Sequence, residues 1–146
     1  MKTILITAAI MMTLVSCGNR STGKDSSTKQ KTQAVADTHN SRNSLDYAGI
    51  YEGVTPCADC EGIKVVITLD DRGNYTKEMT YLGKGPNNVF TSQGKYEWDT
   101  SGSNITLKGE SGMNIYKVGE NRLFMLDQEG KIITGDLADK YILTKK

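Results

Sequence analysis

The stretch that decides the fold is residues 63–81, which read IKVVITLDDRGNYTKEMTY. Before residue 70, apolar side chains recur at every second position, which is the period of a half-buried strand. The turn-forming residues DDRGN then occupy positions 70–74. A second alternating run follows over residues 75–81, with polar side chains at the intervening positions. The stretch therefore predicts a β-hairpin.

Outward from this hairpin, strand signals recur throughout residues 47–146. No segment of that block has a sustained 3.6-residue apolar period, so no long helix is predicted. Many short strands at even spacing indicate a sandwich or a small barrel. Consecutive hairpins in one short domain favour an all-β fold, a small antiparallel meander β-barrel. The other predicted strands cover residues 47–54, 89–98, 104–108, 113–118, 122–127, 131–134 and 140–144.

The composition excludes several functions. The 146 residues carry 18 Lys and Arg against 17 Asp and Glu, a formal net charge of +1. That balance argues against a nucleic-acid partner, since such proteins normally show a basic excess. A single histidine leaves little material for a His-rich metal centre or a Ser-His pair. The three cysteines are an odd number, so at least one has a role other than an intrachain disulfide.

The N-terminus has the pattern of a removable targeting segment. Residues 1–17 read MKTILITAAIMMTLVSC, with an apolar run too short to cross a bilayer as a helix. The run ends in LVSC, which resembles a bacterial lipobox. That resemblance implies removal of residues 1–16 and acylation of Cys17, so that a lipid anchor holds the chain on the membrane. The alternatives are an ordinary secretory signal or a short membrane anchor with an incidental cysteine.

Residues 17–46 are predicted to be the lipidated cysteine followed by a disordered linker. Ser, Thr, Asn, Gln and Lys dominate this segment, and it has no aromatic residue before position 47. Such a composition buries too little apolar surface to offset the entropy lost on ordering. We therefore expect a flexible tether between the membrane and the domain of residues 47–146. Gly18 replaces the Asp that favours inner-membrane retention, so an outer-membrane lipoprotein of a Gram-negative bacterium is the expectation.

The one chemical motif of the predicted domain is PCADC, at residues 56–60. Cys57 and Cys60 place two sulfurs within reach of each other across one tight turn. They can serve as a structural disulfide, as soft ligands for Cu(I), or as a redox-active dithiol. Redox catalysis is disfavoured because no helix pattern follows the motif. Zinc is a poor fit because a closed site needs four ligands.

Around this motif the chain resembles the NlpE family, the copper-homeostasis and surface-sensing lipoproteins. The resemblance covers nearly all of residues 47–146. It implies a lipocalin-like β-barrel on a lipid-anchored chain, outer-membrane localisation, a link to copper tolerance, and signalling to the Cpx envelope-stress pathway. The matching segments are YEGVTPCADCEGI at 51–63, LDDRGNY at 69–75, YLGK at 81–84, GKYEW at 94–98, ITL at 105–107 and LDQEGK at 126–131.

Better-known members of that family carry a second, OB-like domain with another cysteine pair. This chain ends at Lys146, so we expect the barrel and its Cys57/Cys60 motif to be what it shares with them. The prediction is a non-enzymatic, lipid-anchored envelope protein that acts in copper homeostasis or envelope-stress sensing, with a further envelope protein as its partner. The alternative is a barrel that carries a small apolar ligand, or an interaction module whose cysteines only staple a loop. Ten aromatic residues either line the barrel mouth or pack in its core.

Overall fold

A computed structural model describes residues 39–146 of the chain. The predicted signal segment 1–16, the predicted lipidation site Cys17 and the tether up to residue 38 lie outside the described residues. Within residues 39–146, no helix is both long enough and apolar enough to span a bilayer.

Eight antiparallel strands form a closed barrel in which each strand pairs with the next along the chain. The last strand returns to pair with the first. This meander confirms the predicted fold class. The strands are β1 Gly49–Thr55, β2 Gly62–Leu69, β3 Asn74–Leu82, β4 Val89–Trp98, β5 Asn104–Leu107, β6 Ile115–Gly119, β7 Arg122–Met125 and β8 Ile142–Lys145.

The hairpin that decides the fold is β2–β3, and its register runs without interruption from Gly62 opposite Leu82 to Leu69 opposite Tyr75. Its turn is fixed by the Asp70 carboxylate. Oδ1 accepts hydrogen bonds from the backbone N–H groups of residue 72, at 2.9 Å, and residue 74, at 2.7 Å. The hydrogen bond from the Asn74 side chain lowers the pKa of Asp70 most, and these two backbone hydrogen bonds lower it further.

Closure of the barrel between β1 and β8 depends on a glycine in β1. Tyr51 lies opposite Lys145 in this pairing. At Gly53, an added Cβ would lie 2.7 Å from Cδ2 of Leu143 and 2.9 Å from the carbonyl oxygen of Ile142. The two strands can therefore approach each other this closely because residue 53 is glycine.

Inward-facing side chains fill the barrel. Four of the aromatic residues that sequence analysis left open between core and mouth belong to this core: Tyr51, Tyr75, Tyr96 and Tyr116. The remaining core residues are Val65, Ile67, Leu69, Ile105, Leu107, Val118, Leu123, Met125 and Leu143. Most of the barrel interior is therefore occupied by the protein itself.

Two predictions about secondary structure were wrong. Residues 131–134 are not a strand, because β7 pairs directly with β8 and only an isolated bridge joins Leu126 to Ile132. The C-terminal end of the predicted disordered linker is ordered, since Ser41–Ser44 forms a short helix, α1. Ser41 Oγ donates to the carbonyl of Val118 at 2.7 Å, and the amide of residue 42 donates to that of Gly102 at 3.0 Å.

The meander gives the barrel two rims with different contents. One rim, here called the helix rim, carries α1 and the turns at residues 70–73, 99–103 and 120–121. The other, the cysteine rim, carries the connections at residues 56–61, 83–88, 108–114 and 126–141. The chain enters the barrel at the helix rim, and the Cys57/Cys60 motif lies at the opposite rim.

Candidate functional site

The cysteine motif forms the tight connection of residues 56–61 between β1 and β2. β1 ends at Thr55, immediately before Pro56, and β2 begins at Gly62. The φ of Gly62 is +151°, a backbone conformation that favours glycine. A Cβ at Gly62 would also lie 2.8 Å from Cγ1 of Val54. The amide of Glu61 donates to the carbonyl of Leu82 at 3.3 Å, which attaches the loop to β3.

Cys57 and Cys60 are joined by a disulfide, with their Cα atoms 5.3 Å apart. The sequence prediction that the two sulfurs lie within reach of each other is thus confirmed, while their service as metal ligands stays a prediction. Cys57 Sγ lies 3.5 Å from Oδ1 of Asp59. One ligand atom from each of these three residues falls within 4.8 Å of the others.

Lys84 brings a positive charge to this group from the next connection of the cysteine rim. Its Nζ lies 3.1 Å from Oδ2 of Asp59; the Lys84 side chain is 40% exposed to solvent and that of Asp59 is 79% exposed. Together with Glu61 and Leu82, these residues line a shallow cleft of about 410 Å³ that also reaches Cys60. The motif is therefore accessible from solvent and next to both signs of charge.

This geometry decides which chemistry the motif can support. In the oxidised form, the sulfurs have no thiolate to offer a metal. After reduction by a dithiol, two thiolates and the Asp59 carboxylate would lie on one small loop, a set that fits Cu(I) through its soft sulfurs. The motif is followed by β2 rather than by a helix, so it lacks the helix N-terminus that lowers a thiol pKa in dithiol catalysts.

Three methionines of the barrel carry a thioether that could assist a soft metal, and they differ in burial. Met125 is buried in the barrel core, and Met79 packs against that core. Met113 is 37% exposed, in the connection between β5 and β6. These positions favour core packing for the first two thioethers.

A buried polar cluster inside the barrel was missed by sequence reasoning. Nζ of Lys77 lies 3.2 Å from Oε2 of Glu110, and the two side chains are only 5% and 7% exposed. Tyr75 Oη donates to Oε1 of Glu110 at 3.2 Å and to the carbonyl of Lys108 at 2.9 Å. Burial acts to raise the pKa of Glu110, but a hydrogen bond from Ser92 and the Lys77 charge lower it overall.

One signal in the sequence did point to this cluster. Lys77 occupies an inward position in the alternating run of residues 75–81, where a buried lysine needs a partner. Nothing in the pattern marked Glu110 as that partner, because it lies in a loop 33 residues away.

Comparison with known proteins agrees with this fold. The family described as the NlpE N-terminal domain matches residues 51–136, which include the cysteine loop and most of the barrel. The chain belongs to the NlpE N-terminal domain family. A curated relative, "Lipoprotein NlpE" of Escherichia coli strain K12, is 34% identical over 85 residues, or 57% of this chain. Those residues cover 35% of the relative, so the chain matches about a third of its length.

Two solved structures are similar to this chain. A Shewanella oneidensis protein described as a candidate lipoprotein is 50% identical, with a TM-score of 0.67 over 73% of this chain and 95% of that one. The Cpx pathway activator NlpE from Escherichia coli is 33% identical, with a TM-score of 0.50. That match covers 60% of this chain and 46% of the other. The fold and family are thus shown by sequence and structure together.

Proposed function

We propose that this protein is a non-enzymatic lipoprotein of the Gram-negative cell envelope that acts in copper homeostasis and envelope-stress sensing. In this proposal the reduced Cys57 and Cys60 bind Cu(I), with Asp59 beside them. Cys17 carries the lipid anchor in the outer membrane. The name of the Escherichia coli relative, a Cpx pathway activator, supports the stress-sensing part of the proposal.

The observation that carries the copper proposal is the cysteine loop itself. Cys57, Cys60 and Asp59 offer ligand atoms within 4.8 Å of one another, on a loop that solvent can reach. A Cu(I) ion is satisfied by a small number of soft sulfur ligands, whereas a closed zinc site needs four. Bound copper would supply a soft cation that holds the loop in its reduced form.

A role in communication with another envelope protein is supported by the surface of the cysteine rim. Of the seven large apolar side chains that are exposed to solvent among residues 39–146, six lie in its connections or within two residues of them. Exposed apolar patches are typical of interaction sites. The six residues in or beside the cysteine rim are Val54, Val89, Phe90, Met113, Ile132 and Leu137.

The second candidate is an interaction module in which the Cys57–Cys60 disulfide only staples the loop. The oxidised state of the pair and the apolar rim favour this reading. The other alternative, a carrier of an apolar ligand, has less support because core side chains such as Tyr51 and Tyr116 fill the barrel.

Copper tolerance in cells distinguishes the two candidates. The chromosomal gene is replaced by the double variant C57S/C60S or by Ala58→Ser, which alters the same loop but keeps both thiols. We expect the double variant to lose copper tolerance at equal membrane abundance, and Ala58→Ser to match the wild type. Equal tolerance in all three strains would contradict the copper role and favour the interaction module. Mass spectrometry of the same membranes tests acylation of Cys17.

A further inference from the structure

The first half of β4 has a strand neighbour on one side only. Residues 89–95 of β4 pair with β3, but β5 pairs only with residues 96–98. Among residues 39–146, the last backbone hydrogen bond on that side runs from the amide of Lys108 to the carbonyl of Lys95, at 2.8 Å. The chain then turns at Gly109, whose φ is +84°, and the Glu110 side chain that follows accepts a hydrogen bond from the side chain of Ser92. Within residues 39–146, no other strand pairs with this edge of β4.

The direction of the backbone groups on this edge follows from the register. The amide of Tyr81 donates to the carbonyl of Asn88, and the amide of Tyr96 donates to that of Gly73, so even-numbered residues of β4 bond to β3. Odd-numbered residues therefore direct their N–H and C=O groups to the open side. Three of them, Val89, Thr91 and Gln93, are exposed to solvent.

This edge lacks the features by which proteins usually protect an exposed strand. Residues 89–94 read VFTSQG, without a charge or a proline. Val89 is 47% exposed and Phe90 is 55% exposed, in a strand of high β-propensity. Edges of this kind are templates for pairing with another strand unless charge, proline or a bulge blocks them.

We propose that this edge pairs with the same edge of a second copy, in an antiparallel register centred on Thr91. Val89 then lies opposite Gln93 of the second copy, and Thr91 opposite its own equivalent. Each of these three pairs exchanges two hydrogen bonds, roughly six in all. Registers shifted from this centre leave some of the free groups of residues 89–93 without a partner.

The side chains of the edge fit a twofold contact. An isologous interface must be complementary to itself, and an uncharged segment brings no like charges together. The central Thr91 pair is a favourable cross-strand pair. On the other face, Phe90 lies opposite Ser92 of the second copy, which covers part of its exposed ring. This pairing of two copies involves neither the cysteine loop nor the lipid anchor.

The contact is small compared with the roughly 800 Å² per partner of a standard interface, so we expect weak association, with a Kd of roughly 0.1–1 mM. The full chain in excess non-ionic detergent is studied by sedimentation equilibrium and by amide hydrogen exchange across this concentration range. We expect the amides of Val89, Thr91 and Gln93 to gain protection as concentration rises. Those of Phe90 and Ser92, which bond to β3, are protected throughout.

The variant Thr91→Pro removes the N–H that faces the open side and no hydrogen bond to β3, a position where a strand tolerates proline. We expect it to weaken self-association at least tenfold, whereas the matched Thr91→Val, which keeps the N–H, associates like the wild type. The wild type alone can overturn the proposal, even if the proline variant fails to fold. It does so if the amide exchange rates of residues 89, 91 and 93 do not change with protein concentration. Equal association of the proline variant and the wild type would overturn it as well.

Discussion

The buried ion pair between Lys77 and Glu110 gives the sharpest prediction about stability. We consider Lys77→Met, which removes the ammonium and retains a long apolar side chain. The Glu110 carboxylate would then lie 7% exposed in the barrel without the charge that now stands 3.2 Å away. Tyr75 still donates to it at 3.2 Å.

The size of the effect follows from this environment. Breaking a buried ion pair by removing one partner typically costs about 3–5 kcal/mol, because the remaining charge is desolvated and uncompensated. Glu110 retains its bond from Tyr75, and its loop can move outward at Gly109 and Gly112, around which an added Cβ would meet open space. Both features place the loss at about 3 kcal/mol, the low end of that range. For a domain of about 100 residues this lowers the Tm by roughly 13 °C.

Urea and thermal unfolding measured by circular dichroism test this value. The double variant K77M/E110M removes both charges together and should recover to within about 1 kcal/mol of the wild type. Breaking the exposed Lys131–Glu129 pair with Lys131→Met is the surface control, and it should cost less than about 0.5 kcal/mol. If Lys77→Met unfolds at the wild-type temperature, or if the double variant is less stable than the single one, the reasoning about this cluster is wrong.

Three further predictions concern the same barrel. Burial and the nearby Asp46 charge raise the pKa of Tyr51 from 10.0 to about 12, so its contribution to stability is complete below pH 10 and is lost as the pH rises towards 12. Unfolding measured by circular dichroism between pH 10 and 12 should therefore show that Tyr51→Phe loses stability less steeply with pH than the wild type does. An equal loss of stability with pH in both proteins would exclude ionisation of Tyr51 as the cause. Gly53→Ala should destabilise the barrel by about 2 kcal/mol in urea unfolding, because its Cβ collides with β8; a wild-type midpoint would contradict that. Reduction of Cys57–Cys60 opens only a short loop and should cost roughly 2 kcal/mol or less, with the near-ultraviolet spectrum retained; unfolding on reduction would show a larger role.

The local patterns of the sequence predicted much of the fold. The alternation over residues 63–81 and the DDRGN turn gave the β2–β3 hairpin with the correct strand pair, because both signals act between near neighbours. The KIIT segment at 131–134 has the apolar residues of a short strand, but β7 and β8 pair with each other and leave no neighbour for it. The helix at Ser41–Ser44 is held by contacts with Val118 and Gly102, which local propensity cannot reveal.

The candidate site shows the same division between local and distant information. The spacing of Cys57 and Cys60 was sufficient to predict that their sulfurs lie within reach of each other, and the structure joins them in a disulfide. The position of Lys84 beside Asp59 was not predictable, since the two residues are 25 positions apart and meet through the packing of neighbouring connections. The open edge of β4 is likewise a consequence of strand lengths, since four residues of β5 lie beside ten of β4.

Direct Cu(I) binding tests the central proposal most closely. The full chain is reduced with excess dithiol, freed of it without oxygen, and titrated with Cu(I) against a competing chelator. We predict one strong site that weakens at least a hundredfold in the double variant C57S/C60S, because its soft ligands are gone, and less in Asp59→Asn, which keeps both thiolates. A Cu(I) affinity that is the same in the wild type and in the double variant would contradict the assignment of these cysteines as the copper ligands.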